Sequence, residues 1–528
     1  MNPNFGMFGR HVFLFCFFVL ITEGDATNFK ELEKVIKKYL ECKNSPGLAV
    51  SVVKNGHIVM SKGFGVKSFY SSEAVTNKTL FGILSLTKGF TSTLIVKLLQ
   101  NHQRFRLNTT VAEIFGKKDI FSNNLLSNHV TIEDLLAHRV GLPLHGRIRF
   151  DSILTRQNLV QVSNLECLER RLKYLKPVGE FRNGFYYSDI LYGLVTAIAE
   201  RISRKSWEKL MMEEIFEPLC MTSSDLVTNV DWTNVDLVEG YFHIDGKPVP
   251  VPRELARRWD SIGGSGGILS NAIDMAKWML FHLNGGKNVY GQQVMEQAEL
   301  DKTYMAKNVR TPFPSSRNYL KPISPVSFSV PNYALGWRTG MYRGYEIVDN
   351  IGSFWGYSNI ISLIPSMSLG VFTTMSGEDN NNMFPLQLYL IDTFLGQKPW
   401  LNESTLCSFP EPWNPAASPA TNPAVIQKNI APVRRLLLYT GTYKNPAYGS
   451  LEVMEMGYNS LFVIYGWASF QLYPSTTPDV FIGEAVGTAA NTLRRTGNQF
   501  IFQYDIYRRS ILRLTIPELE SRDPPVFM

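Results

Sequence analysis

The 528-residue chain contains no run of five or six lysines or arginines, and its formal charge of +7 is small for its length. A nucleic-acid-binding role therefore has no electrostatic footing. No two cysteines stand at C-x-x-C spacing, which removes the simplest zinc and redox sites, and no metal or other cofactor is expected. There is no internal repeat and no acidic or low-complexity tract of the kind that binds mineral. Past the N-terminus, no segment offers the roughly 20 apolar residues of a membrane span. Charge is sparse at 19%, whereas 45% of residues are hydrophobic, enough for large cores.

The N-terminus is distinctive. Arg10 and His11 precede an unbroken apolar run, Val12 to Ile21, and the small residues Gly24 and Ala26 follow. A basic start, an apolar stretch of about 7–15 residues and a small-residue cleavage site describe a secretory signal. Cleavage is expected after Ala26, with Gly24 as a second candidate. The alternative, a membrane anchor, needs a longer run than this one, which Glu23 and Asp25 close. Secretion, with no span left in the mature chain, is the expectation. Cys16 would leave with the signal, so Cys42, Cys167, Cys220 and Cys407 remain. They allow two disulfides in three connectivities, or four buried thiols. Asn77, Asn108 and Asn402 head Asn-x-Ser/Thr sequons and are candidate glycan sites.

Residues 28–40 carry Phe29, Leu32, Val35, Ile36 and Tyr39 at helical spacing. Gly47–Val53 and Ile58–Met60 are apolar runs separated by Lys54-Asn55-Gly56-His57, a strong hairpin signal. A helix leading into an antiparallel hairpin argues for an α+β sheet over a doubly wound one. The stretch from about 80 to 290 reads as helical. Strand signals return at Gly344–Val348, Tyr357–Pro365 and Gly370–Thr374. A sheet built from both ends of a domain around a helical insert is the simplest architecture. Six prolines between Phe409 and Pro432 read as an extended linker, and short aromatic and β-branched runs after it read as a small all-β domain. The expected divisions are 1–26 signal, 27–400 main domain, 401–432 linker and 433–528 β domain.

Ser-x-x-Lys places a lysine amine on the same helical face as a serine hydroxyl, where a desolvated amine can take the serine proton. The motif occurs at Ser51–Lys54, Ser85–Lys88 and Ser206–Lys209. Ser51 falls in a strand, where i and i+3 face opposite ways. Ser206 opens a charged, exposed helix. Ser85 follows the apolar Phe81–Leu84 and begins a nearly uncharged helix, at the end where free N–H groups gather. On the motif alone, Ser85 is better read as a helix cap. Gly263-Gly264-Ser265-Gly266-Gly267 matches G-x-S-x-G, but that elbow needs an acid and then a histidine downstream. The only later histidine is His282, too near, so the glycines are better read as a close backbone approach beside a cleft.

Pro177-Val178-Gly179-Glu180-Phe181, then Tyr186–Leu194, together with Leu135-Leu136-Ala137-His138-Arg139-Val140-Gly141-Leu142-Pro143, resemble blocks of the serine β-lactamase-related family. That family takes in class C β-lactamases, penicillin-binding proteins, carboxylesterases and secreted animal members such as the gigasins. Ile215–Met221 and Gly266–Ser270 are similar to further blocks, and the likeness runs from 30 to about 395. The tail, with Gly441-Thr442-Tyr443 and Tyr448-Gly449, resembles the small β domain appended to many members. The resemblance implies a β-lactamase/transpeptidase-like antiparallel sheet with a helical domain, plus a small C-terminal all-β domain. It also implies acylation of Ser85, Lys88 as general base and Tyr187 as proton shuttle. The backbone N–H groups of Ser85 and Ser353 would form the oxyanion hole.

Two positions depart from the family pattern. Where members carry Lys-Thr-Gly or His-x-Gly, this chain has Asn350-Ile351-Gly352-Ser353, without a cation. Where they carry Tyr-x-Asn it has Tyr187-Ser188-Asp189, and a carboxylate near Lys88 favours the ammonium, the wrong form for a base. Both weaken β-lactam chemistry more than hydrolysis of an uncharged ester or amide. The expected function is a secreted serine hydrolase acting on a small ester or amide. The alternative is a weakly active or inactive scaffold partnered with extracellular, shell or other matrix components.

Overall fold

In the computed structural model, the described residues are 28–116, 119–144, 171–244, 246–257, 259, 262–310, 324–377, 383–413, 426–457, 459–487, 490 and 497–528. The expected signal segment 1–26, Cys167 and residues 414–425 of the expected linker lie outside them. Among the described residues no helix is long and apolar enough to cross a membrane.

Helix α1 (Phe29–Cys42) begins where the Asn28 side chain accepts the Glu31 N–H, and it buries Leu32, Val35, Ile36, Tyr39 and Leu40. Strands β1 (Gly47–Lys54) and β2 (His57–Gly65) follow as an antiparallel hairpin. Asn55 (φ 51°) and Gly56 (φ 79°) are both left-handed, the geometry of the mirror-image turn that Asn-Gly favours. The other sheet strands come from far along the chain: β3 (Asn308–Val309), β4 (Phe328–Tyr333), β5 (Arg338–Tyr342), β6 (Tyr345–Phe354), β7 (Tyr357–Ile364) and β8 (Leu369–Ser376). Their order is β2-β1-β8-β7-β6-β5-β4-β3, antiparallel throughout. The sheet is thus assembled from both ends of the domain around a helical insert.

Strands β7 and β8 are buried at every position, because both faces of the sheet are covered. On one face lie α1 and α5 (Phe384–Phe394), sharing a core of Ile36, Val50, Ile360 and Leu390. On the other lies the helical insert, led by α2 (Thr87–Gln100), α3 (Asp189–Ser203) and α4 (Ala272–Leu283). Phe90 of α2 stacks on Trp278 of α4 with ring centroids 3.8 Å apart.

The expected linker 401–432 does not start as free chain, because residues ahead of its prolines are helical. Helix α6 (Glu403–Ser408) is capped by Asn402 and docked on α1 by the Cys42–Cys407 disulfide and a 2.6 Å Lys38–Glu403 pair. Cys220 is a free thiol. Beyond the expected linker, eight strands, β9 (Gly441–Asn445) to β16 (Val526–Phe527), form an up-and-down antiparallel meander. Reciprocal bonds between Lys444 and Met528, at 2.8 and 2.9 Å, join its last strand to its first, so the sheet is barrel-like. The barrel meets the main domain where Arg171 donates to the Ala447 carbonyl at 2.9 Å. Its Trp467 also packs against the apolar cluster that contains Leu84, Trp259 and Trp355.

Candidate active site

Ser85 sits in a single turn of 3-10 helix, Leu84–Leu86, that runs into α2. Leu84 before it holds φ at 51°, a left-handed conformation costly for a branched side chain and typical of functional turns. The turn lies against β6, where a Cβ built on Gly352 would stand 2.4 Å from the Ile83 carbonyl oxygen and 3.1 Å from the Ser85 nitrogen. Only glycine lets the strand approach the serine so closely. Asn359 of β7 fixes the approach by donating to the Gly82 and Gly352 carbonyls at 3.0 and 3.1 Å.

Three expected site residues meet here. Ser85 Oγ lies 2.7 Å from the Tyr187 hydroxyl and 3.2 Å from Lys88 Nζ. Lys88 is fully buried, so its charge demands partners. It has them: Nζ donates to Asp189 Oδ1 and to the Ser265 carbonyl, both at 2.8 Å. With Ser85 Oγ these are three acceptors for the three N–H bonds of an ammonium. The Tyr187 and Tyr192 rings flank the same nitrogen at 4.6 and 5.4 Å. The Tyr187 phenol is held well above its usual range, first by burial and then by the Asp189 charge, while its bond to Ser85 pulls the other way.

The third-motif residues divide. Asn350 is buried, and its amide donates to the carbonyls of Ser85 (3.1 Å) and Gly336 (2.9 Å). Both amide hydrogens are spent on backbone, so Asn350 braces the serine turn and presents no side chain to a substrate. Ser353 follows Gly352 on the same strand, half-buried, with its hydroxyl unpartnered among the described residues.

The competing motifs resolve structurally. Ser51 is buried in β1 and bonded to the Ala272 carbonyl, and Ser206 caps its own helix by accepting the Lys209 N–H. Ser265 is fully buried, and what its glycine-rich helical turn, Gly263–Gly266, contributes is the carbonyl on Lys88. Of the sequons, Asn108 and Asn402 are exposed and Asn77 is half-buried.

Sequence reasoning gave no role to His138. It is fully buried, and its Nδ1 accepts the Ser188 N–H at 3.2 Å. Burial first, and the Lys88 charge second, hold its imidazole well below the usual histidine range, so it is neutral. The loop carrying Tyr187 is clamped from below by Asp134, which pairs with Arg139 and Arg182, both at 2.7 Å. Burial tends to raise this carboxyl, but the Arg182 and Thr131 hydrogen bonds outweigh it and hold the group below the usual range. The two blocks 135–143 and 177–189, separated in sequence, are one structural unit.

Known proteins share this arrangement of segments. The family model described as Beta-lactamase matches residues 32–394. Gigasin-6 of Magallana gigas is 36% identical over 257 residues, 48% of this chain and 82% of that protein. An unguisins hydrolase of Aspergillus campestris is 26% identical over 439 residues, covering 80% of this chain and 77% of its own. Among solved structures, the octameric penicillin-binding protein homologue from Pyrococcus abyssi superposes with TM-score 0.56 at 19% identity, covering 95% of this chain and all of that one. SurE superposes with TM-score 0.54 at 15% identity over 95% of this chain and all of its own, a likeness of fold alone. With the family match spanning well over half its length and the Ser85 turn, Lys88 and Tyr187 converging, the chain belongs to the Beta-lactamase family, whose members are generally serine hydrolases.

Proposed function

We propose that the protein is a secreted serine hydrolase that cleaves an ester or amide through an acyl-Ser85 intermediate. The observation that carries this reading is the contact of Ser85 Oγ with both Tyr187 and Lys88. In the forward step Ser85 Oγ bonds to the substrate carbonyl carbon and its proton passes to the Lys88–Tyr187 pair. The backbone N–H groups of Ser85 and Ser353 receive the oxyanion, and the leaving group departs with a proton delivered through Tyr187. Water then takes the place of the leaving group, releasing the acid and restoring the serine proton. With Asn350 turned to backbone, substrates lacking a carboxylate at that edge of the site fit best. The fungal relative's description as a hydrolase supports the reaction type. The N-terminal apolar segment and the Cys42–Cys407 disulfide support an oxidising, extracellular setting, where Asn77, Asn108 and Asn402 could be glycosylated.

A second reading, a secreted scaffold with little or no turnover that binds matrix components, is favoured by one observation. Lys88 already has three acceptors, one of them the Asp189 carboxylate. The likeness to Gigasin-6 is compatible with either. A fluorophosphonate probe separates them. Adduct at Ser85, absent in Ser85→Ala, is the expected result, and folded protein that never labels would move the assignment to the scaffold.

A further inference from the structure

We infer that His138 is the positioning residue of the Tyr187 loop: its ring nitrogen and its carbonyl hang the backbone on both sides of Tyr187 and so set the distance from Tyr187 to Ser85. This rests on the hydrolase reading only for its kinetic consequence.

The imidazole Nδ1 takes the N–H of Ser188, one residue after Tyr187, at 3.2 Å. The His138 carbonyl takes the N–H of Tyr186, one residue before it, at 3.1 Å. Tyr187 therefore hangs between two bonds to a single residue, and the His138 ring lies 4.5 Å from its own ring. His138 is in turn fixed from outside. Asn308 Nδ2 donates to the Ala137, His138 and Gly184 carbonyls, and the rings of Phe185, Tyr192 and Tyr333 surround the imidazole at 5.1–5.5 Å centroid spacing. Its φ of 56° is left-handed, a conformation uncommon for a residue with a side chain and maintained only where the surroundings enforce it. Because Nδ1 accepts, the ring's one proton is assigned to Nε2, which is buried with no hydrogen-bond partner among the described residues. An orphaned polar atom of this kind is unusual in a core residue kept only for shape. Here it accompanies an acceptor on the opposite side of the ring that apolar residues of similar size lack.

The test compares His138→Asn with His138→Leu in the full-length protein. Asparagine tolerates the left-handed backbone and places an oxygen near the Nδ1 position, whereas leucine fills similar space without an acceptor. Hydrogen exchange of the peptide covering Phe185–Tyr192 reports the Ser188 amide without any need for turnover. In His138→Leu that amide should exchange at least about tenfold faster, while His138→Asn should stay near wild type. Fluorophosphonate labelling at Ser85 should show a maximal rate reduced by about tenfold or more in His138→Leu, unchanged half-saturation, and rescue to within about threefold in His138→Asn. If His138→Leu does not fold, His138→Gln replaces it, since its acceptor reaches the Nε2 position, and it is expected to behave as leucine does. Unchanged exchange in the leucine or glutamine variant, or equal damage in His138→Asn, overturns the inference. Absence of labelling in wild type overturns the hydrolase reading and leaves the exchange result to decide the role of His138.

Discussion

Asp189→Asn removes a full negative charge 2.8 Å from the Lys88 nitrogen and keeps an oxygen acceptor in its place. At the effective dielectric of about 20 that suits protein sites, a charge pair at this distance is worth about 6 kcal/mol. Both partners are shielded from solvent, Lys88 fully and the Asp189 side chain with 10% exposure, so screening by salt is slight. Much of that attraction is offset by the hydrogen bond asparagine retains and by local relaxation. If about 1.4–2.8 kcal/mol of the remainder reaches the acylation barrier, Ser85 reacts about 10–100 times faster. A second effect has the same sign. The Asp189 charge is, after burial, the main reason the Tyr187 phenol sits above its usual range, so removing it eases proton movement through Tyr187. Folding should suffer meanwhile: breaking a buried pair outright costs about 3–5 kcal/mol, and the retained hydrogen bond brings the expected loss to about 1–3 kcal/mol. The assay is the second-order rate of fluorophosphonate labelling at Ser85, paired with the urea midpoint of each protein. Faster labelling in a less stable protein is the expected pair of results. A stable Asp189→Asn variant that labels more slowly than wild type would refute the reasoning, because the carboxylate would then be a needed proton acceptor and not a brake.

Gly352→Ala should abolish Ser85 labelling, since its Cβ would stand 2.4 Å from the Ile83 carbonyl oxygen and push the strand from the serine turn, and peptide mass spectrometry reads the loss directly. Acid should destabilise the fold through its buried neutral histidines. Burial pushes the His282 imidazole down to about 3, and His138 is also lowered. Between about 3 and the unfolded value of about 6.5 the unfolded chain binds a proton that folded His282 excludes, so stability falls as pH drops through that window, by about 2 kcal/mol from pH 7 to 5 for His282, and His138 acts in the same direction. Urea midpoints at both pH values check this, and His282→Gln should remove its own share of the effect, about 2 kcal/mol. Cys42→Ser, which opens the link across 365 residues, should cost about 2–5 kcal/mol, and a melting temperature equal to that of wild type would show that the disulfide adds nothing.

What could be read from the sequence was local chemistry or a whole block. Asn55-Gly56 announces its turn because only a few residue types accept two consecutive left-handed conformations, and the β1–β2 hairpin follows from it. Ser85 was separable from Ser51 and Ser206 because neighbouring residues set strand, cap or buried helix before any long-range contact forms. The expected linker begins too early for the converse reason: the prolines after Phe409 outweigh a local signal ahead of them, the reciprocal Asn402–Thr405 cap that starts α6. The cysteine pairing was out of reach, since three connectivities are equivalent on paper and Cys42 finds Cys407 only after the sheet has brought both ends of the domain together. The same logic governs the site. A backbone carbonyl carries no side-chain signature, so nothing marks Ser265 as a Lys88 partner until the glycine run folds beside α2. His138 is invisible as a positioning group for a related reason. Its role belongs to its contact with Ser188, 50 residues away, and an isolated histidine in an apolar stretch is indistinguishable from a core residue. Asn350 makes the point most sharply. The absence of a cation there is legible and points to a change in substrate charge, yet the two amide bonds commit the side chain to the backbone of the Ser85 turn and Gly336, which no sequence feature signals. A residue type therefore constrains which chemistry a position has lost, whereas what the position does instead is decided by partners that only the fold supplies.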